Sequence, residues 1–230
     1  MVDAATFSNY AVFVGMQTGN TVILGLSTAG LPSNPFAWLT TLVSIASFLL
    51  GARATFEASR LITPDGVYSN RLWASSLLFI QGLFIVISAA LASPEGLIPQ
   101  NPGDTNRYTL PETDILHNVY IVALIPALAV QSGMQIATSR LLGFNELPVN
   151  VLTSTYCDLM GDFKLFALNN VKRNRRFSAV VLLLVGAISS GWIMRSMGGL
   201  KGVLWLAAGL KLITGISLFL FLPSHEEVLP

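Results

Sequence analysis

Residues 72–92 read LWASSLLFIQGLFIVISAALA, and no charged side chain occurs between Arg71 and Glu95. A helix needs about 20 apolar residues to cross roughly 30 Å of hydrocarbon, and this stretch has that length and character. Charge spacing therefore serves as a ruler for the rest of the chain. Toward the N-terminus no charge occurs between Asp3 and Arg53, a window too long for one helix and interrupted by Gly30, Pro32 and Pro35. It divides into a segment near 8–28 and a helix near 36–56. Toward the C-terminus, residues 93–114 carry Pro94, Pro99, Pro102 and Pro111 and read as a linking loop. A helix near 115–138 follows, with a bend expected at Pro126. The apolar stretch 147–168 is interrupted by Asp158, Asp162 and Lys164, and helices near 177–195 and 202–222 complete the pattern. The expectation is an all-α integral membrane protein, a polytopic helix bundle forming one membrane domain over residues 1–230. Its first half is 1–92, its second half 115–222, and 223–230 form a short tail.

Composition excludes the other classes. Hydrophobic residues make up 53% and charged residues 11%, whereas soluble domains carry about 25% charged residues. Mean hydropathy is +0.64, so the chain has too much apolar surface to remain disordered. A net charge of +1 excludes a nucleic-acid partner. A single cysteine permits neither an intrachain disulfide nor a cysteine-based metal cluster. There is no P-loop, no G-x-S-x-G elbow and no G-x-G-x-x-G, so no enzyme activity and no cofactor are expected. Cys157 reads as inert packing, His117 as interfacial, and His225 lies in the tail, which leaves no histidine-based metal site.

The two halves echo one another. Asp3-Ala4-Ala5-Thr6 is followed by Thr18-Gly19-Asn20, and Gln135-Ile136-Ala137-Thr138 by Thr153-Ser154-Thr155. Each polar triplet precedes an apolar run, a short loop and two membrane helices. The stretch Met16-Gln17-Thr18-Gly19-Asn20-Thr21-Val22-Ile23-Leu24-Gly25 resembles the T-G-N signature of the YoaK-like membrane proteins, domain-of-unknown-function family 1275. Gln131-Ser132-Gly133-Met134-Gln135-Ile136-Ala137, Val151-Leu152-Thr153-Ser154 and Asp158-Leu159 resemble the second half of that family, most closely its fungal members. The resemblance implies a small permease-like fold without an assigned substrate or reaction. It also implies a further apolar helix ahead of Asp3, so the chain is expected to be a fragment at its N-terminus.

Basic residues near helix ends favour the cytoplasm. If every apolar segment spans, Arg53, Arg60, Arg71, Arg140, Arg195 and Lys201 oppose Arg107, Lys164, Lys172, Arg173, Arg175 and Arg176, six against six. If 8–28 and 147–168 enter and leave on one side, only Arg107, Arg195 and Lys201 remain opposite the other nine. That arrangement makes the halves an inverted repeat with re-entrant segments, an architecture common among transporters. Seven plain spanning helices are the alternative.

Several polar groups interrupt these segments. Lys211 sits near the centre of 202–222, where a charge costs about 2.5–3.5 kcal/mol unless it finds a partner or a cavity. Asp158 and Asp162, four apart on one helical face, are the expected counter-ions. The alternative is that Lys211 snorkels to the interface. Thr18, Gly19 and Asn20 either line a substrate or ion site or pack through Gly15 and Gly19. Packing has no need of Asn20, which favours the lining. Thr153 is the counterpart of Thr18 in the second triplet. Gln131, Gln135 and Thr138 form one stripe that either hydrogen-bonds neighbouring helices, the favoured reading, or lines a cavity. The run Lys172-Arg173-Asn174-Arg175-Arg176 reads first as a topology anchor and second as a lipid head-group site. The leading function is a small-molecule or ion transporter or channel. A lipid-acting enzyme using Asp158 and Asp162, and a non-transporting scaffold, are the alternatives. Membrane lipids and a small-molecule or ion substrate are the expected partners, and a homo-oligomer is left open.

Overall fold

A computed structural model describes residues 1–64, 70–93, 98, 116, 118–144, 152–163 and 169–221. Among them the regular structure is helical: α1 (Val2–Tyr10), α2 (Gln17–Ser27), α3 (Ala37–Ile62), α4 (Arg71–Ala92), α5 (Ile125–Leu141), α6 (Leu152–Met160), α7 (Val171–Arg195) and α8 (Gly199–Phe221). A 3₁₀ stretch, Val119–Leu124, runs directly into α5. The change from 3₁₀ to α falls just ahead of Pro126, which occupies the first turn of α5. Proline is suited to that position because the first helical N–H groups have no intrahelical acceptor. Asparagine caps three of the starts: the side chains of Asn70, Asn118 and Asn170 accept from the N–H groups of Trp73, Tyr120 and Arg173.

Among the described residues, five helices are long and apolar enough to cross a membrane: α3, α4, the 3₁₀–α5 unit, α7 and α8. Among the described residues, the two stretches that the alternative topology requires to span form no such helix. Segment 8–28 is broken between Tyr10 and Gln17, and α2 has 11 residues. Within 147–168, the described residues hold only the nine-residue α6. Arg107, His117, Lys164, His225 and nearly all of the linking loop and tail lie outside the described residues.

The long helices pair as α3 with α5 and α4 with α8, and α4 also packs on α5. At the first pairing the backbones touch. A Cβ on Gly51 would run into the carbonyl of Val130, and one on Gly133 into the carbonyl of Phe48. Small residues bring membrane helices this close because lipid supplies no hydrophobic drive between them. The main core joins Ile85 and Ala89 of α4, Leu128 and Ala129 of α5, Leu204 and Ala208 of α8, and Ala5 and Tyr10 of α1. By contrast, 6% of the apolar stretch of α7 is buried, against 50% for the unit 119–141. An apolar stretch so little covered by protein requires an apolar surrounding, which the bilayer provides.

Contacts at the helix ends fix the directions. Trp73 Nε1 donates to Ser59 Oγ at 3.0 Å, joining the end of α3 to the start of α4. Trp205 Nε1 donates to Ser93 Oγ at 3.1 Å, and the Arg71 guanidinium lies 5.4 Å from the centre of the Phe219 ring. Thus α4 and α8 are antiparallel. The starts of α4 and α7 and the ends of α3, α5 and α8 share one end of the bundle. Arg60, Arg71, Arg140, Lys172, Arg173, Arg175 and Arg176 lie toward that end, while Arg195 and Lys201 lie at the other.

Candidate binding cavity

The break between α1 and α2 is the first unusual feature. Residues 11–16 leave the helical path, beginning with Ala11 in the left-handed region at φ 53°. Non-helical backbone is tolerated within a membrane protein only where other groups satisfy it. Here four polar side chains do so. The Asp3 carboxylate accepts from the N–H groups of Val14 and Gly15, both at 2.7 Å. The Asn20 amide clasps Phe13 on both sides, accepting from its N–H at 3.0 Å and donating to its carbonyl at 2.6 Å. Ser44 of α3 donates to the same carbonyl at 2.7 Å. Gln17 Nε2 donates to the Val14 carbonyl at 2.9 Å, and Gln17 Oε1 accepts from Asn20 at 2.8 Å.

Behind this clasp lies a cavity of about 1080 Å³. Its polar lining comes from Asp3 of α1, Thr18 of α2, Gln131, Ser132, Gln135, Thr138 and Ser139 of α5, Thr153 of α6, and Lys211 and Thr214 of α8. Gly19 also lines it, and Phe13, Val22, Leu78, Leu183 and Leu210 are among its apolar walls. Asp3, Thr18, Gln135 and Thr153, to which the sequence reading gives matching places in the two halves, all line this one cavity.

Lys211 Nζ donates to Gln135 Oε1 at 2.7 Å. The expected pairing of Lys211 with Asp158 or Asp162 is not formed. Asp158 is exposed and lies 3.4 Å from Arg176, and Asp162 accepts from Asn170 Nδ2 at 2.8 Å. Asp158 lies near the end of α6 and Asp162 just beyond it, where Arg176 of α7 and its N-cap Asn170 reach them. Neither lines the cavity.

Asn20 also departs from its expected role. It is fully buried and stands behind the wall, holding the break rather than facing the cavity. Gly15 and Gly19 do not make a helix–helix contact either. Gly15 lies outside α2, and Gly19 packs under the Phe13 ring and Met16 of its own segment. The Gln131, Gln135 and Thr138 stripe combines the two roles weighed for it. All three line the cavity, while Gln81 of α4 donates to Thr138 Oγ1 at 3.0 Å and Lys211 to Gln135. Cys157 is exposed rather than packed. Asp3 also lines the cavity, a role the sequence does not announce, although the likeness of the motif at 3–6 to that at 135–138 is a signal for it.

Residues 1–217 match the sequence family described as Protein of unknown function (DUF1275). No curated protein and no solved structure matches the chain.

Proposed function

The chain belongs to the DUF1275 family, and we propose that it is a non-enzymic membrane permease whose substrate, a small molecule or an ion, binds in the cavity between the halves. The observation that carries this reading is the meeting of Asp3, Gln135, Thr18 and Thr153 in one cavity beside an intramembrane lysine. Ionisable residues inside a membrane domain mark substrate and ion pathways, because their cost is otherwise not recovered. The order of elements supports two related halves: α2, α3, α4 and α6, α7, α8 each comprise one short helix followed by two long ones. In this reading the halves are an inverted repeat, α2 and α6 are re-entrant, and the basic end of the bundle is cytoplasmic.

Purified protein in sealed liposomes, tested for uptake of a broad panel of ions, amino acids, sugars and organic acids, examines the proposal. Flux of at least one class is expected. Thr18→Trp, which fills the cavity from an exposed position on α2, is expected to stop it while leaving thermal stability intact. Absence of flux throughout the panel, or flux indifferent to the plug, removes the permease reading.

A further inference from the structure

We infer that the cavity takes an amphipathic organic anion whose acidic group pairs with Lys211. The inference rests on the cavity being the binding site and names the chemistry of its occupant.

Lys211 lies in the middle of α8, and its ammonium lines the cavity. An ammonium has three donors, and the partner it finds among the described residues is the neutral amide oxygen of Gln135. The acids that might neutralise it are engaged elsewhere. Asp158 sits against Arg176, Asp162 against Asn170, and Asp3 directs Oδ1 to the N–H groups of Val14 and Gly15. The cavity thus offers a cation held in place by an amide, and among the described residues Lys211 forms no ion pair with Asp3 or any other carboxylate. A charge within a membrane domain is normally paired or faces water, so an anionic ligand group supplies what the protein does not. A ligand cation would meet repulsion at the same point.

The remaining walls select against a bare inorganic ion. Phe13, Val22, Leu78, Leu183 and Leu210 surround the polar groups. The volume of about 1080 Å³ lies just above the roughly 300–1,000 Å³ typical of organic ligand sites. An acidic head at Lys211 with an apolar body against these side chains satisfies both halves of the lining.

The test uses three probes of equal chain length, octanoate, octanol and octylamine. Each is titrated calorimetrically into the full chain in lipid nanodiscs, with empty nanodiscs as baseline. Octanoate is expected to bind roughly tenfold to a hundredfold more tightly than octanol, the range of a charge-assisted hydrogen bond, and octylamine more weakly than either. Lys211→Met is expected to bring octanoate down to octanol, and Lys211→Arg to keep most of the preference. Gln135→Glu supplies an internal carboxylate beside Nζ. It is expected to abolish the preference while raising the thermal midpoint, and it carries the test if Lys211→Met does not fold. Octanoate binding no tighter than octanol, or a preference that survives both Lys211→Met and Gln135→Glu, overturns the inference. Octanoate held at Lys211 without flux of any solute would keep this site and remove the permease. Flux stopped by Thr18→Trp without any octanoate preference would do the reverse.

Discussion

At the scale of single residues, the T-G-N triplet divides its labour. Thr18 and Gly19 face the cavity, while Asn20 replaces for Phe13 the backbone partners that a continuous helix would have supplied. Asn20→Ala leaves the Phe13 N–H and Gln17 Oε1 without the partner each now has. An unpaired buried group costs on the order of 1–3 kcal/mol, so the variant is expected to lose roughly 2–4 kcal/mol, read as a lower unfolding midpoint in detergent. Ser44→Ala is expected to lose less, because the Phe13 carbonyl retains Asn20. An Asn20→Ala protein as stable as the parent would contradict the clasp. The sequence made Asn20 conspicuous but not its role. The groups it serves are created by a break whose other supports, Asp3 and Ser44, lie far away along the chain. Lys211 teaches the same lesson. Charge is expected to seek charge, and the fold brings to it the amide of Gln135 instead.

At the scale of helices, charge spacing located the long elements well. The first quoted stretch, 72–92, forms α4 from Arg71 to Ala92, and the segment expected at 202–222 forms α8 from Gly199 to Phe221. Where the ruler failed, the cause is visible. The helix expected to stop near 56 continues to Ile62, because Glu57 binds Arg53 and Arg60 at 2.9 Å each, one turn to either side. Such pairs support an exposed helical turn beyond the apolar run. Glycines separate into two kinds that sequence alone cannot distinguish. Gly133→Ala drives a methyl group into the backbone of α3 and is expected to destabilise by about 1–3 kcal/mol. Gly25→Ala meets nothing within 4 Å and is expected to be neutral or stabilising by up to about 1 kcal/mol, from helix propensity alone. Equal midpoints for the two variants would refute the close crossing of α3 and α5.

At the scale of the whole molecule, the uneven distribution of basic residues yields a topology that can be measured. Pro64→Cys and Asn174→Cys, in a Cys157→Ser background because Cys157 is exposed, are expected to react with an impermeant thiol reagent from the same side of sealed vesicles. Met197→Cys, 92% exposed in the α7–α8 turn, is expected to react from the opposite side. Labelling of positions 64 and 174 from opposite sides would remove the re-entrant arrangement. The cavity is legible in part in the sequence. Thr18, Gly19, Gln131, Gln135, Thr153 and Lys211 were singled out, and all line it. Asp158 and Asp162 were singled out for their charge and lie elsewhere, since a carboxylate in an apolar run also arises where a short helix turns back toward a basic one.

The crossing of Gly51 and Gly133 has a mechanical consequence. It joins α3 of the first half to α5 of the second with backbone against backbone, so no side chain there can change rotamer to admit sliding. Sliding of α3 along α5 would first have to part the two backbones, so any displacement of one helix would carry the other with it, together with the cavity lining that α5 bears from Gln131 to Ser139.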